Sequence, residues 1–161
     1  MVHPEKTKIV YCQDQNRKGK NERTEFDFLG FTFKPRFAKN NKGQFFMSFS
    51  PAISKKAEKA IRDEIRSWNM HSRTGSELED LAQFLNPRIR GWLNYYGKFR
   101  RTALVGICEM VNGILVKWAK NRFRKLKRSW RRAFEFMAYE AKRNAKLFAH
   151  WELGWYGTGR I

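Results

Sequence analysis

Residues 44–68, QFFMSFSPAISKKAEKAIRDEIRSW, contain the change of period that decides the fold. Up to Ser50 the apolar residues alternate: Phe45, Met47 and Phe49 share one side of an extended chain, as a half-buried strand requires. From Ser54 the spacing becomes helical. Ser54 is a candidate N-cap, and Ala57, Ile61, Ile65 and Trp68 recur at i, i+4, i+8 and i+11 to form one buried stripe. A second stripe of the same period, Lys55, Lys59, Arg62 and Arg66, is basic.

On the N-terminal side the reading stays β. Lys8 to Cys12 is expected to form a short strand, followed by the polar loop Gln13–Glu25. Phe26, Phe28, Phe31 and Phe33 mark a further strand, which Leu29-Gly30 interrupts; a Gly there predicts a bulge or a close backbone approach. Asn40-Asn41-Lys42-Gly43 is a hairpin turn, so Phe31–Phe37 should pair with Gln44–Phe49. Phe26–Phe49 is too apolar to stand alone and should lean on the helices or on a partner chain.

On the C-terminal side the chain reads as helical almost to its end. His71–Gly75 breaks the first helix, and Ser76 should cap a second with Leu78, Leu81, Ala82 and Leu85 inward. Asn86-Pro87 looks like a restart, giving a third helix with Ile89, Trp92, Leu93 and Tyr96 that closes near Gly97. A fourth helix from about Ala103 buries Leu104, Ile107, Cys108, Val111, Leu115 and Trp118, and its end carries Lys117, Lys120, Arg122, Arg124, Lys125, Lys127 and Arg128. Ser129 should cap a fifth, with Trp130, Phe134, Met137, Ala141, Ala145 and Phe148 in register. The expectation is α+β, mostly α: a β-rich segment over 1–50, about five helices over 51–150, and an aromatic tail over 151–161 that folds back or frays.

Composition narrows the function. With 34 Lys and Arg against 15 Asp and Glu the net charge is +19, and so large an excess repels itself unless a polyanion screens it. Nucleic acid and an anionic membrane surface both fit, and large aromatics among the cations favour nucleic acid. Cys12 and Cys108 lie far apart in apolar settings, which argues against a disulfide scaffold and for a reducing cytoplasm. His3, His71 and His150 have no metal-ligand spacing, so no metal or other cofactor is expected. No apolar run looks long enough to span a bilayer, and no membrane partner is expected.

Three blocks go beyond composition: His3-Pro4-Glu5-Lys6-Thr7-Lys8-Ile9-Val10, Phe26-Asp27-Phe28-Leu29-Gly30-Phe31, and Leu85-Asn86-Pro87-Arg88-Ile89-Arg90-Gly91-Trp92-Leu93-Asn94-Tyr95-Tyr96-Gly97. In this order they resemble the C-terminal part of group II intron reverse transcriptase/maturase proteins. The first two look like the last blocks of that family's palm, and the third like its maturase-specific thumb, or X, domain. The resemblance implies an RNA-binding module that assists intron splicing, and a primer-grip-like element at Phe28, Leu29 and Gly30. The family's polymerase centre uses Asp residues to hold two metal ions, and this chain has no Asp-Asp pair. It is therefore expected to be a fragment without a polymerase site of its own, acting on intron RNA, completing a separate palm fragment, or persisting as a non-functional remnant.

Candidate RNA-binding residues follow from position and charge. Lys6 and Thr7 precede a strand, where a cation and a hydroxyl can face a phosphate or simply meet solvent. Trp92 lies on the apolar stripe and is expected in the core, whereas Tyr95 lies off it and is the better stacking candidate. Arg88, Arg100 and Arg101 flank that helix. With the stripe Lys55, Lys59, Arg62 and Arg66 and the cluster Lys117, Lys120, Arg124, Lys127 and Arg128, they make up the expected surface.

Overall fold

The computed structural model describes residues 7, 9–17, 19 and 23–156. The chain divides into two compact units, Met1–Ala57 and Glu58–Ile161.

The first unit is an antiparallel three-stranded sheet in the order β1 (Phe26–Phe28), β2 (Phe31–Lys39), β3 (Phe45–Ile53). Leu29 and Gly30 both have positive φ, 48° and 79°, and Phe28 pairs with Phe31. They are therefore the two central residues of a type I′ hairpin turn, and the expected bulge is a turn between two strands. A Leu in the left-handed region costs about 1–2 kcal/mol relative to Gly. The turn is tied down by Ser54, whose N–H donates to the Gly30 carbonyl at 2.8 Å.

The β2–β3 hairpin is the expected one, with Phe37 opposite Met47 and Lys39 opposite Phe45. Asn40 fixes its loop: its side-chain oxygen accepts from the Lys42 and Gln44 N–H groups at 3.0 and 2.9 Å, and Gly43 supplies φ 82°. Because the Asn40 N–H donates to the Gln44 carbonyl, Pro35 and Pro51 fall at pairs whose N–H groups point away from the partner strand. Neither proline breaks the β2–β3 ladder. Phe26, Phe28, Phe31, Phe33, Phe37, Phe45, Met47 and Phe49 share one face by register, and Phe26 stacks on Phe33 at 4.9 Å. Toward the hairpin tip this face opens to solvent, with Phe37 67% and Phe45 71% exposed. The strand expected at Lys8–Cys12 is not formed over Ile9–Cys12, which runs as irregular chain; Lys8 lies outside the described residues.

Four α-helices are present among the described residues, α1 (Lys55–Ser67), α2 (Leu78–Arg100), α3 (Val105–Arg122) and α4 (Trp130–Arg143), where about five were expected. Ser54 caps α1 through a 3.1 Å bond from the Ala57 N–H. The discrepancy lies at Asn86-Pro87, which does not restart a helix. Pro87 sits inside α2 on an exposed face, so the carbonyl of exposed Gln83 that loses its partner faces water. Leu85 and Ile89, buried on either side of it, hold the helix together. α2 begins at Leu78 after Glu77, whose N–H donates to the Asp80 carboxylate at 2.8 Å, one residue beyond the expected Ser76 cap. It also runs past Gly97, where a Cβ would lie 3.5 Å from Leu104.

α3 is the axis of the helical unit and packs against α4 and the short 3-10 turns Met70–Ser72 and Arg101–Leu104. It buries Ile107, Cys108, Val111, Asn112, Leu115, Val116, Trp118 and Ala119, a stripe wide enough for neighbours on two sides. The helical run Leu78–Arg122 contains an 18-residue window, of mean hydropathy 1.3, long and apolar enough to cross a membrane by length and composition alone. This amends the sequence expectation, although 44% of its apolar window is buried inside the protein and it carries the core stripe just described. α4 stops at Arg143, short of the expected Ala145 and Phe148. Phe148 is fully buried in a turn, not on a helix.

Candidate nucleic-acid interface

The basic residues fall into groups with different fates. On α1 the stripe is neutralised by acids on the same helix: Lys59 pairs with Asp63 at 3.4 Å, Arg66 with Asp63 at 2.7 Å, and Arg62 with Glu58 at 2.7 Å. Arg62 is a packing residue. It reaches Met110 Sδ at 3.9 Å, and its guanidinium would lie 3.1 Å from a Cβ at Gly106, so the glycine is what lets α3 come this close. Lys55 is exposed at the first position of the helix.

Arg88 is likewise engaged. Its guanidinium lies 4.2 Å from the Phe84 ring centre and 5.8 Å from that of Trp68, pairs with Glu64 at 3.5 Å, and donates to the Phe84 carbonyl at 3.0 Å. Trp68 stacks on Trp92 at 5.7 Å, and both are half-buried, so Trp92 closes the edge of the core and is not the central core residue expected. Tyr95 is 48% exposed and meets Tyr96 edge-on at 4.8 Å. Burial, and then the neighbouring Tyr95, pushes the Tyr96 phenol above its ordinary pKa. Arg100 and Arg101 are exposed at the end of α2, Thr7 is exposed, and Lys6 lies outside the described residues.

The remaining cations gather where α3 turns into α4. Residues 117–132 contain nine Lys and Arg and no Asp or Glu. Among the described residues two of the nine have acidic partners: Arg122 bonds to Glu77 and to the Thr74 carbonyl, and Arg131 to Glu135 at 2.9 Å. Arg122 thereby joins Trp118, which donates to the Arg73 carbonyl at 3.0 Å, and Asn121, which donates to the His71 carbonyl at 2.8 Å, in holding the 71–77 loop. Lys117, Arg124, Lys125, Lys127, Arg128 and Arg132 are exposed. The linker Phe123–Ser129 is a run of turns, with Leu126 bonded to Phe123 and Ser129 to Leu126, and Phe123 anchors it against Trp118 and Phe136. Its basic side chains therefore project outward from a fixed backbone.

The helical unit also holds a polar clasp that sequence reasoning missed. Asn86 on α2 donates to the Leu147 carbonyl at 2.8 Å and accepts from the Ala149 N–H at 2.9 Å. Asn112 on α3 accepts from Trp151 Nε1 at 2.9 Å, bonds His150 Nε2 at 2.7 Å, and donates to the Trp155 carbonyl at 2.8 Å. The tail thus folds back at least to Trp155. Burial pushes the His150 imidazole down to about 3, so it is neutral at physiological pH. Cys108 is buried and pushed up to about 12 by burial and then by Glu109, whereas Cys12 is exposed, not apolar as expected. Among the described residues no three His, Cys, Asp or Glu come together as metal ligands.

A sheet unit followed by a helical unit with an acid-free corner dense in Lys and Arg defines a basic helical module. Residues 58–135, just under half of the chain, match the family model described as group II intron, maturase-specific domain. Over these residues the chain carries a maturase-specific domain of the kind found in group II intron proteins. The match spans the Leu85–Gly97 signature, the whole of the basic corner and the clasp residues Asn86 and Asn112, and ends before their tail partners Leu147–Trp155. No curated protein and no solved structure matches the chain.

Proposed function

We propose that this chain grips structured group II intron RNA in the cytoplasm and assists its splicing by positioning and phosphate neutralisation, while the RNA supplies the splicing chemistry. The observation that carries this reading is the acid-free corner at residues 117–132, all of which lies within the range matched to the maturase-specific domain. Lys117, Lys120, Arg124, Lys127 and Arg128 are its centre. Arg100, Arg101 and Tyr95 supply a second contact, and Lys6, Thr7, Lys55, Lys59 and Arg66 contribute less. The test is binding of group II intron RNA against an unstructured RNA of equal length across a salt series. The expected result is preference for the intron, with affinity falling steeply as salt rises. Equal affinity, or a flat salt dependence, overturns the reading.

A second reading has its own support. The phenylalanine face of the β1–β3 sheet is exposed at Phe28, Phe37 and Phe45, and an apolar sheet face of this kind fits a separate reverse transcriptase palm fragment. In that role Phe28, Leu29 and Gly30 form a primer-grip-like turn, and the chain completes a polymerase whose carboxylates the partner supplies. Primer extension by the mixture, absent from either part alone, is the expected result.

A further inference from the structure

Trp130 is out of place for its pattern. It begins the stripe Trp130, Phe134, Met137, Ala141, in which Met137 and Ala141 are buried and Phe134 half-buried. Trp130 itself is 52% exposed. Ser129, whose hydroxyl accepts from the Arg132 N–H at 3.3 Å, fixes the start of α4 and with it the position of the indole. The ring contacts Phe134 at 6.5 Å, and the Lys120 ammonium lies 3.8 Å from its centre. No acid pairs with Lys120 among the described residues. Leaving half an indole in water forgoes burial that the same stripe gives its other members, and the site chosen for it is the most cation-dense stretch of the chain.

We infer that Trp130 is a stacking platform for an unpaired base of the bound RNA, with Lys120 and its neighbours on the flanking phosphates. This rests on the RNA reading above and specifies the form of RNA taken at the corner. The Lys120 ammonium lies over one face of the ring, so the base takes the opposite face. That face can receive only a base not already stacked in a duplex, while the cation strengthens the π contact and neutralises an adjoining phosphate. A Trp among cations also suits an anionic lipid surface. Membrane binding, however, needs a broad apolar face, and here the residues that would continue it, Met137 and Ala141, are buried.

The test compares the full chain with W130A and W130F for binding to a short oligouridylate, to an RNA duplex of the same length, and to phosphatidylserine vesicles. W130A is expected to weaken the oligouridylate about tenfold with an unchanged salt slope, to change the duplex less than about twofold, and to keep the urea midpoint. W130F should recover most of the loss, because stacking needs a ring and not the indole N–H. Equal loss on both RNAs, or loss on neither, overturns the stacking role while leaving RNA binding intact. Vesicle binding that depends on Trp130 without oligouridylate binding overturns it in favour of lipid. If the unaltered chain binds no RNA at all, the RNA reading fails and this inference fails with it.

Discussion

Helix α1 and the α3–α4 corner look alike in composition and differ in what they leave available. Both are dense in Lys and Arg at helical or turn spacing. On α1, Glu58, Asp63 and Glu64 lie within a turn of the cations and three ion pairs form along the helix, while Arg62 is drawn into packing on α3. At the corner no acid occurs over sixteen residues, and the one strongly engaged guanidinium, Arg122, is turned inward to hold a loop. Net charge predicts that a polyanion partner exists. The local distribution of carboxylates decides which face remains to meet it.

The largest test of this difference is charge reversal. K120E/R124E/K127E is expected to weaken intron RNA binding about a hundredfold at physiological salt and to reduce the salt slope by about 2–3, with the urea midpoint unchanged. K55E/K59E/R66E on α1 should change affinity by no more than about threefold. Equal effects would remove the distinction between the two stretches.

Acid separates charge from fold. If net charge alone governed binding, lowering the pH would tighten it. The clasp predicts a loss of stability instead. His150 takes up a proton in the unfolded chain at its ordinary value of 6.5, but in the folded chain only near 3. The unfolded state therefore binds more protons between those values, and stability falls as pH drops through that window by up to about 1.4 kcal/mol per unit. Urea midpoints between pH 7 and 5 should decline by the equivalent of about 2 kcal/mol in the native chain. In H150Q that part of the pH dependence should be absent. A flat profile in the native chain would mean the imidazole is not held neutral in the clasp.

The smallest effect sharpens the comparison from the other side. D63N removes the shared partner of Lys59 and Arg66 and should raise RNA affinity about two- to threefold, visible only at low salt. No change would show that α1 is turned away from the RNA and not merely neutralised.

Much of the fold was legible because period and turn chemistry are local. The β2–β3 hairpin followed from alternating Phe and Met around Asn40-Asn41-Lys42-Gly43, and α1 from its stripe and Ser54. The errors occurred where a local signal served a distant partner. Asn86 reads as a helix cap beside Pro87, but its amide is bonded to Leu147 and Ala149, and α2 passes straight through. Leu29-Gly30 reads as a bulge because Leu is a rare first residue for a type I′ turn. Charge alone did not separate exposed cations from engaged ones: Arg62 and Arg88 looked as available as Arg124. Their acidic partners, Glu58 four residues away and Glu64 on another helix, were the signal that could have distinguished them.

The asparagine clasp also orders events during synthesis. The sheet of the first unit needs nothing beyond Ser54 for its hydrogen bonds. The helical unit cannot close the bonds from Asn86 and Asn112 until Ala149 and Trp155 have been made. At ribosomal speeds that interval is on the order of ten seconds. Throughout it, the Asn86 and Asn112 side chains lack those partners, and the residues of the basic corner are made before the tail that closes the clasp. A nascent chain of this kind can meet a phosphate backbone while its helical core is still open.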